Sequence, residues 1–259
     1  MDQWALHHAN IIQEKLKTHY DTYAFHDIYQ LVHHFCSIDM GGFYVDIMKD
    51  RQYTMQKNSL GRRSGQTAMY HLLHALVRWI APILSFTADE IWENIPGDKA
   101  ESVFITEWYT ELAAFDDNLT IDQELWKDLR LIREEVNKQI EERRATQALG
   151  SSLEAHVVLY VTKDRYQTLQ RFGDELRFFF ITSNLSLQTW DEKPIDAIES
   201  GIDGVVVMIK AISDPKCVRC WHRRDEVGLN KEHPELCLRC VDNVLGAGES
   251  RNFFLNHYP

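Results

Sequence analysis

Four of the five cysteines of this chain form two C-x-x-C pairs, Cys217-Val-Arg-Cys220 and Cys237-Leu-Arg-Cys240, with sixteen residues between them. Two such knuckles can place four thiolates tetrahedrally around one Zn²⁺ at about 2.3 Å each, and the spacing lies in the zinc-ribbon range. Two disulfides, or a redox C-x-x-C, are the competing chemistries. Disulfides belong to oxidising compartments, and redox motifs occur singly on a βα unit rather than in pairs. The expected metal is structural, because four protein ligands leave no open coordination position. His222 and His233 lie nearby and could replace a cysteine. A tail this short has little core of its own, so the metal is expected to fold it.

Arg219, Trp221, His222, Arg223, Arg224 and Arg239 surround the knuckles with cations and one large aromatic face. Base stacking plus guanidinium contacts to phosphate is how single-stranded RNA is commonly held. The plainer alternative is that Trp221 packs as the module's core and the arginines are solvated. A second basic tract comprises Lys49, Arg51, Lys57, Arg62 and Arg63, with Asp50 the one acid between positions 49 and 63. Arg62 and Arg63 are expected just before a helix that starts near Ser64, where free amides and the helix dipole favour phosphate. A solvated loop is the alternative there.

Catalytic motifs are missing from the chain: no Gly-rich phosphate loop, no nucleophile elbow and no H-E-x-x-H occurs. His7-His8, His33-His34 and His71-x-x-His74 read as residues at the edge of helical cores, and Cys36 as a small packed hydrophobe. Asp116-Asp117 sits in a linker with nothing to raise a pKa. Across 259 residues the formal charge is −11, which taken whole argues against a nucleic-acid binder. By segment the charge is −4 over 1–110, −4 over 111–150, −4 over 151–214 and +1 over 215–259. The acidity is spread over the scaffold, and with four thiolates on Zn²⁺ the tail itself becomes about −1, so the cations act by placement. No apolar run is long enough to cross a bilayer, and Met1-Asp2-Gln3-Trp4 does not open like a signal peptide, so neither membrane nor secretion is expected.

The elements that would carry these residues follow from periodicity. Trp4, Ile11, Ile12 and Leu16 share one helical face, and Phe25, Ile28, Val32, Phe35, Cys36, Phe43 and Ile47 continue a helical period past Gly41-Gly42, where a kink or close approach is expected. Tyr53 to Arg63 reads as a loop. Ala68, Leu72, Leu73, Leu76, Val77 and Ile80 line the next helix, which ends at Ala81-Pro82. Thr87 to Glu90 has the pattern of a capping box opening a helix through Trp92. After an acidic linker, Thr120 is the expected cap of a helix with Leu125, Leu129, Ile132, Val136 and Ile140 inward, closing near Gly150. His156–Val161, Leu185–Trp190 and Gly204–Ile212 then read as strands, with a helix over Tyr166–Phe179. The fold class is mainly α: an antiparallel helical bundle, a small α+β (β-α-β-β) domain and a C-terminal zinc ribbon. The expected domains are 1–115, 116–213 and 214–259.

Phe35-Cys-Ser-Ile-Asp39, Phe43-Tyr-Val-Asp-Ile-Met-Lys-Asp-Arg51, Arg62-Arg-Ser-Gly-Gln-Thr67, Ala81-Pro-Ile-Leu-Ser-Phe-Thr-Ala-Asp-Glu-Ile-Trp92 and Glu101-Ser-Val-Phe104 resemble the helical anticodon-binding region of bacterial isoleucyl-tRNA synthetases. Gly150-Ser-Ser-Leu-Glu-Ala155 and Asp174-Glu-Leu-Arg-Phe178 resemble the junction domain that follows it. Lys216-Cys-Val-Arg-Cys-Trp-His222, His233-Pro-Glu-Leu-Cys237 and Arg239-Cys240 resemble that family's C-terminal zinc module. The resemblance runs over essentially the whole chain, more loosely after Arg251. Valyl- and leucyl-tRNA synthetases share the general bundle, whereas this form of zinc tail favours the isoleucine family.

The resemblance implies a class I, ATP-dependent ligase that attaches isoleucine to tRNA(Ile) in the cytoplasm, working as a monomer. The H-I-G-H and K-M-S-K-S motifs that bind ATP in that family do not occur here. This chain therefore resembles the C-terminal part, inactive alone, with ATP and Mg²⁺ belonging to an N-terminal catalytic core that would be its partner. It implies one structural Zn²⁺ on Cys217, Cys220, Cys237 and Cys240. Contacts to the tRNA anticodon stem-loop are expected from Lys49, Arg51, Arg62, Arg63, Arg219, Trp221, Arg223 and Arg239. The alternatives are a zinc-ribbon DNA-binding module of the kind that ends some base-excision glycosylases, a valine-type synthetase region, and a ribbon that merely stabilises the fold.

Overall fold

The computed structural model describes residues 1–112, 123–195, 197 and 200–251. Its backbone divides into two compact units, one formed by 1–52 and 57–116, the other by 53–56 and 117–259. The expected cap Thr120, the Asp116-Asp117 pair and the boundary at 115–116 lie outside the described residues, as does the loosely matching end after Arg251.

The first unit is helical. Helix α1 spans Asp2–Asp21, α2 Phe25–His34, α3 Val45–Thr54, α4 Leu60–Ile80 and α5 Ser85–Asn94. Helix α1 buries Trp4, Ala5, Ala9, Ile12 and Leu16, which share one helical face, so one stripe faces α2 and α4. The long run expected from Phe25 is continuous through α2 and α3, but Phe35–Tyr44 between them is wound as a π-helix. The wider turn is where Gly41 and Gly42 sit: a Cβ at Gly41 would stand 3.0 Å from the Cys36 carbonyl five residues earlier. The interruption is thus a change of pitch, which keeps Phe35, Met40, Phe43 and Tyr44 buried. Its buried Asp39 accepts from His8 Nε2 at 2.8 Å. Cys36 is half-buried, and burial pushes its thiol pKa up.

Asp2 anchors several of these helices. It accepts hydrogen bonds from the Tyr44 hydroxyl at 2.9 Å and the Ser64 hydroxyl at 2.5 Å, and pairs with Arg51 at 3.4 Å. Burial, before the neighbouring Asp2 charge, raises the Tyr44 phenol pKa, so it stays a donor. Val77, Ile80, Ala81, Ala88, Trp92, Ile95 and Val103 form an apolar cluster between α4 and α5. His74, expected at the core's edge, lies inside it at 5% exposure, with Nδ1 3.1 Å from Arg78 Nη1. Desolvation lowers the His74 pKa first and the Arg78 charge second, so the ring is held neutral.

Two helix starts in this unit differ from expectation. Helix α4 starts at Leu60, a turn before Ser64, because the Ser59 hydroxyl caps it by accepting from the Arg62 amide at 3.4 Å. Tyr53 to Arg63 is therefore not one loop, and Arg62 and Arg63 lie inside the first turn. Thr87 does not open α5. The Leu84 amide already bonds the Ile80 carbonyl at 2.7 Å and the Ser85 hydroxyl bonds Ala81 at 3.0 Å, so the helix resumes at Ser85 with no side-chain cap. Glu90 lies past the first turn of this helix, so its amide has an intrahelical acceptor and does not need the Thr87 hydroxyl. The box that does form is Thr189 with Glu192, whose carboxylate accepts from the Thr189 amide at 2.9 Å.

The second unit carries α6 (Gln123–Ala145), β1 (Ala155–Val161), α7 (Lys163–Leu169), α8 (Glu175–Phe179), β2 (Asn184–Thr189), β3 (Val205–Ala211) and α9 (Leu238–Leu245). Helix α6 ends at Ala145, before Gly150, where Gln147 turns to φ 58. The expected helix over 166–179 starts earlier and is broken at Gly173, whose φ of 51 separates α7 from α8. The sheet order is β2-β1-β3, with β1 parallel to β2 and antiparallel to β3. All of β1 except His156 is buried, because α6 packs on one side of the sheet and Trp190, Ala197 and Met208 cover Val158 and Tyr160. No described helix is long and apolar enough to cross a membrane.

Gln13 supplies a test of the first unit. It is 2% exposed; its Oε1 accepts from Trp79 Nε1 at 2.9 Å and its Nε2 donates to the Tyr109 carbonyl at 2.8 Å. Gln13→Ala leaves a buried donor and a buried acceptor without partners, so we expect a loss of about 2–4 kcal/mol. Urea unfolding followed by tryptophan fluorescence measures it.

Candidate metal centre and its surroundings

Cys217, Cys220, Cys237 and Cys240 are all buried, and their sulfurs lie within 4.8 Å of one another. The first knuckle is a tight turn: Trp221 N–H bonds the Cys217 carbonyl, and Cys217 N–H bonds the His222 carbonyl, each at 2.9 Å. Lys216 and Arg223 close it as a single antiparallel bridge. In the second knuckle Cys237 is the N-cap of α9, which places Cys240 one turn away on the same helix end. Leu236, Val227 and Val241 pack around the sulfurs, a small apolar shell that needs the cysteines to complete it.

The donor set fits zinc. All four cysteines are free of disulfides, and Cys220 Sγ lies 3.7 Å from Cys237 Sγ. A tetrahedron with Zn–S near 2.3 Å has sulfur–sulfur edges of about 3.8 Å. Without a cation the four thiols cannot all ionise. Hydrogen bonds with Cys220, Cys237 and Cys240 hold the Cys217 thiol far below its ordinary pKa, while hydrogen bonds with Cys217, Cys220 and Cys237 hold the Cys240 thiol far above. A divalent metal removes that conflict by balancing the charge. His222 and His233 stand outside the cluster. His222 is 4% exposed, and its Nδ1 accepts from Arg177 Nη1 at 3.1 Å.

The cations around the cluster are largely engaged with protein. Arg223 Nη2 bonds Glu154 at 2.7 Å, its Nη1 donates to the Asp214 carbonyl at 3.1 Å, and its amide donates to the Ser183 hydroxyl at 2.7 Å. Arg224 donates to the Ser183 carbonyl at 3.3 Å. Arg239 pairs with the nearly buried Glu249 at 3.3 Å. The Phe178 ring has Arg177 and Arg251 guanidinium carbons 3.9 and 3.6 Å from its centroid, and Arg251 forks onto Glu175 at 2.6 and 2.7 Å. Trp221 is different. It is 59% exposed on a backbone with φ 67, and the Lys216 ammonium lies 5.0 Å from its ring centroid. A left-handed tryptophan is strained, and here the strain turns the indole out of the module's core.

In the first unit, Lys49 is exposed and pairs with Asp46 at 2.9 Å, while Arg51 is 8% exposed in its pair with Asp2. Arg62 is half-buried in the first turn of α4, and Arg63 is exposed beside it. The candidates thus fall into two groups, one on each unit. Sequence reading missed Thr54 and Gln56, whose partners lie far along the chain, and no local pattern marks them.

With this geometry in place, similarity to known proteins becomes decisive. The family model for the anticodon-binding domain of tRNA ligase matches residues 2–159. The chain belongs to that family. A second model, described as the zinc finger found in FPG and IleRS, matches residues 214–243 and so includes all four cysteines. The chain is also similar to isoleucine–tRNA ligases: 49% identical over 253 residues to that of Nitrosococcus oceani, and 48% over 253 to that of Methylococcus capsulatus, covering 98% of this chain and 27% of each relative. The Legionella pneumophila (strain Paris) ligase is 48% identical over 251 residues, or 97% of this chain and 26% of its own length. The chain therefore spans about a quarter of the length of the relatives it matches.

Two outcomes follow. Freshly purified protein should carry about one equivalent of zinc by elemental analysis and lose it on acidification, because protons compete for the thiolates; less than about half an equivalent counts against the site. For the Glu154–Arg223 pair, the Arg223 hydrogen bond, followed by the Gly150 amide, holds the Glu154 carboxyl below its ordinary 4.5. A depressed folded-state pKa stabilises fully above that value and is lost as pH falls through the folded one. Glu154→Gln should lower the thermal midpoint at pH 7, with the difference from the parent shrinking below about pH 4.5 and vanishing in stronger acid.

Proposed function

We propose that this chain is the tRNA-recognition part of an isoleucine–tRNA ligase, contacting the anticodon stem-loop of tRNA(Ile). The match of the anticodon-binding family to residues 2–159 carries the reading. The exposed, left-handed Trp221 with Lys216 at its ring supports it, because an indole face beside a cation is suited to stack a splayed base next to a phosphate. Arg62 and Arg63 support it from the first turn of α4, where the positive end of the helix dipole adds to their charge although Ser59 occupies both of their amides.

Of the eight contact residues expected from sequence, we assign Trp221 to base stacking and Lys49, Arg62 and Arg63 to phosphate. Arg51, Arg219, Arg223 and Arg239 are assigned to holding protein groups that frame the contact surface. In the longer ligase, an N-terminal catalytic core would supply ATP and Mg²⁺ chemistry, attaching isoleucine in the cytoplasm as a monomeric enzyme. The 1–115, 116–213 and 214–259 division is proposed as its functional partition: anticodon bundle, junction and metal module.

A DNA-binding reading stays in play through the second family model, whose description covers two kinds of protein. One gel-shift series separates them. We expect tRNA(Ile) to bind better than duplex DNA, with affinity falling as salt rises because counterions are released. Trp221→Ala should weaken tRNA binding about 5- to 100-fold, the range of one lost base stack. Equal binding to duplex DNA, or no salt dependence, overturns the proposal.

A further inference from the structure

The third residue of each knuckle is an arginine, Arg219 before Cys220 and Arg239 before Cys240. Both reach the same residue. Arg219 Nη1 donates to the Thr54 carbonyl at 2.5 Å, and Arg239 Nη1 donates to the Thr54 hydroxyl at 3.3 Å. Thr54 is 3% exposed and its neighbour Met55 2%. Arg219 Nη1 also approaches Cys240 Sγ at 4.0 Å, so it spans from its own knuckle to the other. Arg239 is steadied by Glu249, which accepts from Asn243 Nδ2 at 2.8 Å.

Gln56 adds a second point of attachment. Its Nε2 donates to the Gly246 carbonyl at 2.8 Å. Gly248 lies against the same side chain: at φ 93, a Cβ there would stand 2.8 Å from Gln56 Cδ. Residues 53–56 accordingly group with the second unit, although Tyr53 and Thr54 end α3 and α4 follows at Leu60.

We infer that Thr54 is an internal latch read by both knuckles: Arg219 and Arg239 are positioning residues that pinch it when the four sulfurs are gathered on a metal. Each arginine is bonded covalently to a ligand residue, so gathering the sulfurs fixes where each guanidinium starts. One arginine holds the backbone of Thr54 and the other its side chain. Charged donors make these bonds about twice as strong as neutral ones. Metal occupancy is thereby transmitted to a segment 165 residues away in sequence from Arg219. The coupling is reciprocal: whatever the metal contributes to the latch, the latch returns to metal retention. This inference does not depend on tRNA binding, and its test uses no RNA.

The test compares the zinc-loaded parent with Thr54→Val, which removes the hydroxyl without touching the metal module, and with Arg239→Ala. Amide hydrogen exchange is read on peptides covering 53–59, with β1 and β3 as the internal reference, and zinc affinity is measured by equilibrium competition with a colorimetric chelator. In Thr54→Val we expect exchange at 53–59 to quicken and the zinc Kd to rise, each at least about threefold, the reference strands staying unchanged. Arg239→Ala should do the same, and Arg239→Lys should restore part of it. Unchanged exchange at 53–59 in Thr54→Val overturns the latch, as does faster exchange with unchanged zinc affinity, since reciprocity of the binding free energies requires both. If Arg239→Ala fails to fold, the Thr54→Val pair of measurements decides alone.

Discussion

Four thiol groups buried within 4.8 Å of one another are a constraint before they are a site. Hydrogen bonding among the sulfurs lowers the Cys217 and Cys220 pKa values and raises those of Cys237 and Cys240, so the four cannot all ionise together. A divalent cation would remove that conflict by balancing the thiolate charge. The module has little else: one isolated bridge, the helix α9, and an apolar shell of Leu236, Val227 and Val241 built around the sulfurs. Every feature that depends on a fixed module therefore depends on this charge balance, including the outward indole of Trp221 and the two arginines on Thr54.

Charge placement explains how an acidic chain can carry a nucleic-acid surface. Most arginines near the cysteines are engaged with protein groups, as in the forked Arg251–Glu175 pair over Phe178 and the Arg223 bonds to Glu154 and Asp214. Such pairs hold backbone and rings in place more than they add stability, because removing charges from water costs about as much as pairing them returns. The candidate groups that stay exposed are few: Trp221 with Lys216 in the second unit, and Lys49 and Arg63 in the first. Selective binding by placement suits a scaffold whose net charge of −11 discourages indiscriminate association with RNA.

Much of the fold was legible because it rests on local periodicity. The inward faces of α1 and α6 follow from residues three and four apart, and β1 and β3 from β-branched runs that are mostly buried, whereas β2 has no such run and is half-exposed. The boundaries were less legible. The Thr87–Glu90 pattern is chemically able to cap a helix, yet the turn after Pro82 lets the helix resume at Ser85 and leaves the box idle. Ser59 caps α4 a turn before the expected start. Gly41-Gly42 marked the change of helical pitch without saying that it would be a π-helix, since composition reports a tolerated geometry and not which carbonyl an amide selects.

The sequence by itself determined the metal chemistry, since C-x-x-C spacing is a local property and two knuckles have few other uses. It also determined the family, through ordered motifs along the chain. Only the tertiary structure decided what each cation does. Arg51, Arg219, Arg223 and Arg239 look alike in a string of residues, but their partners are Asp2, Thr54, Glu154 and Glu249. Three of those partners lie tens to more than a hundred residues away, and Glu249 belongs to a loop that only the folded module defines. A guanidinium bonds whichever carboxylate or carbonyl the fold brings near, and no local rule predicts that choice.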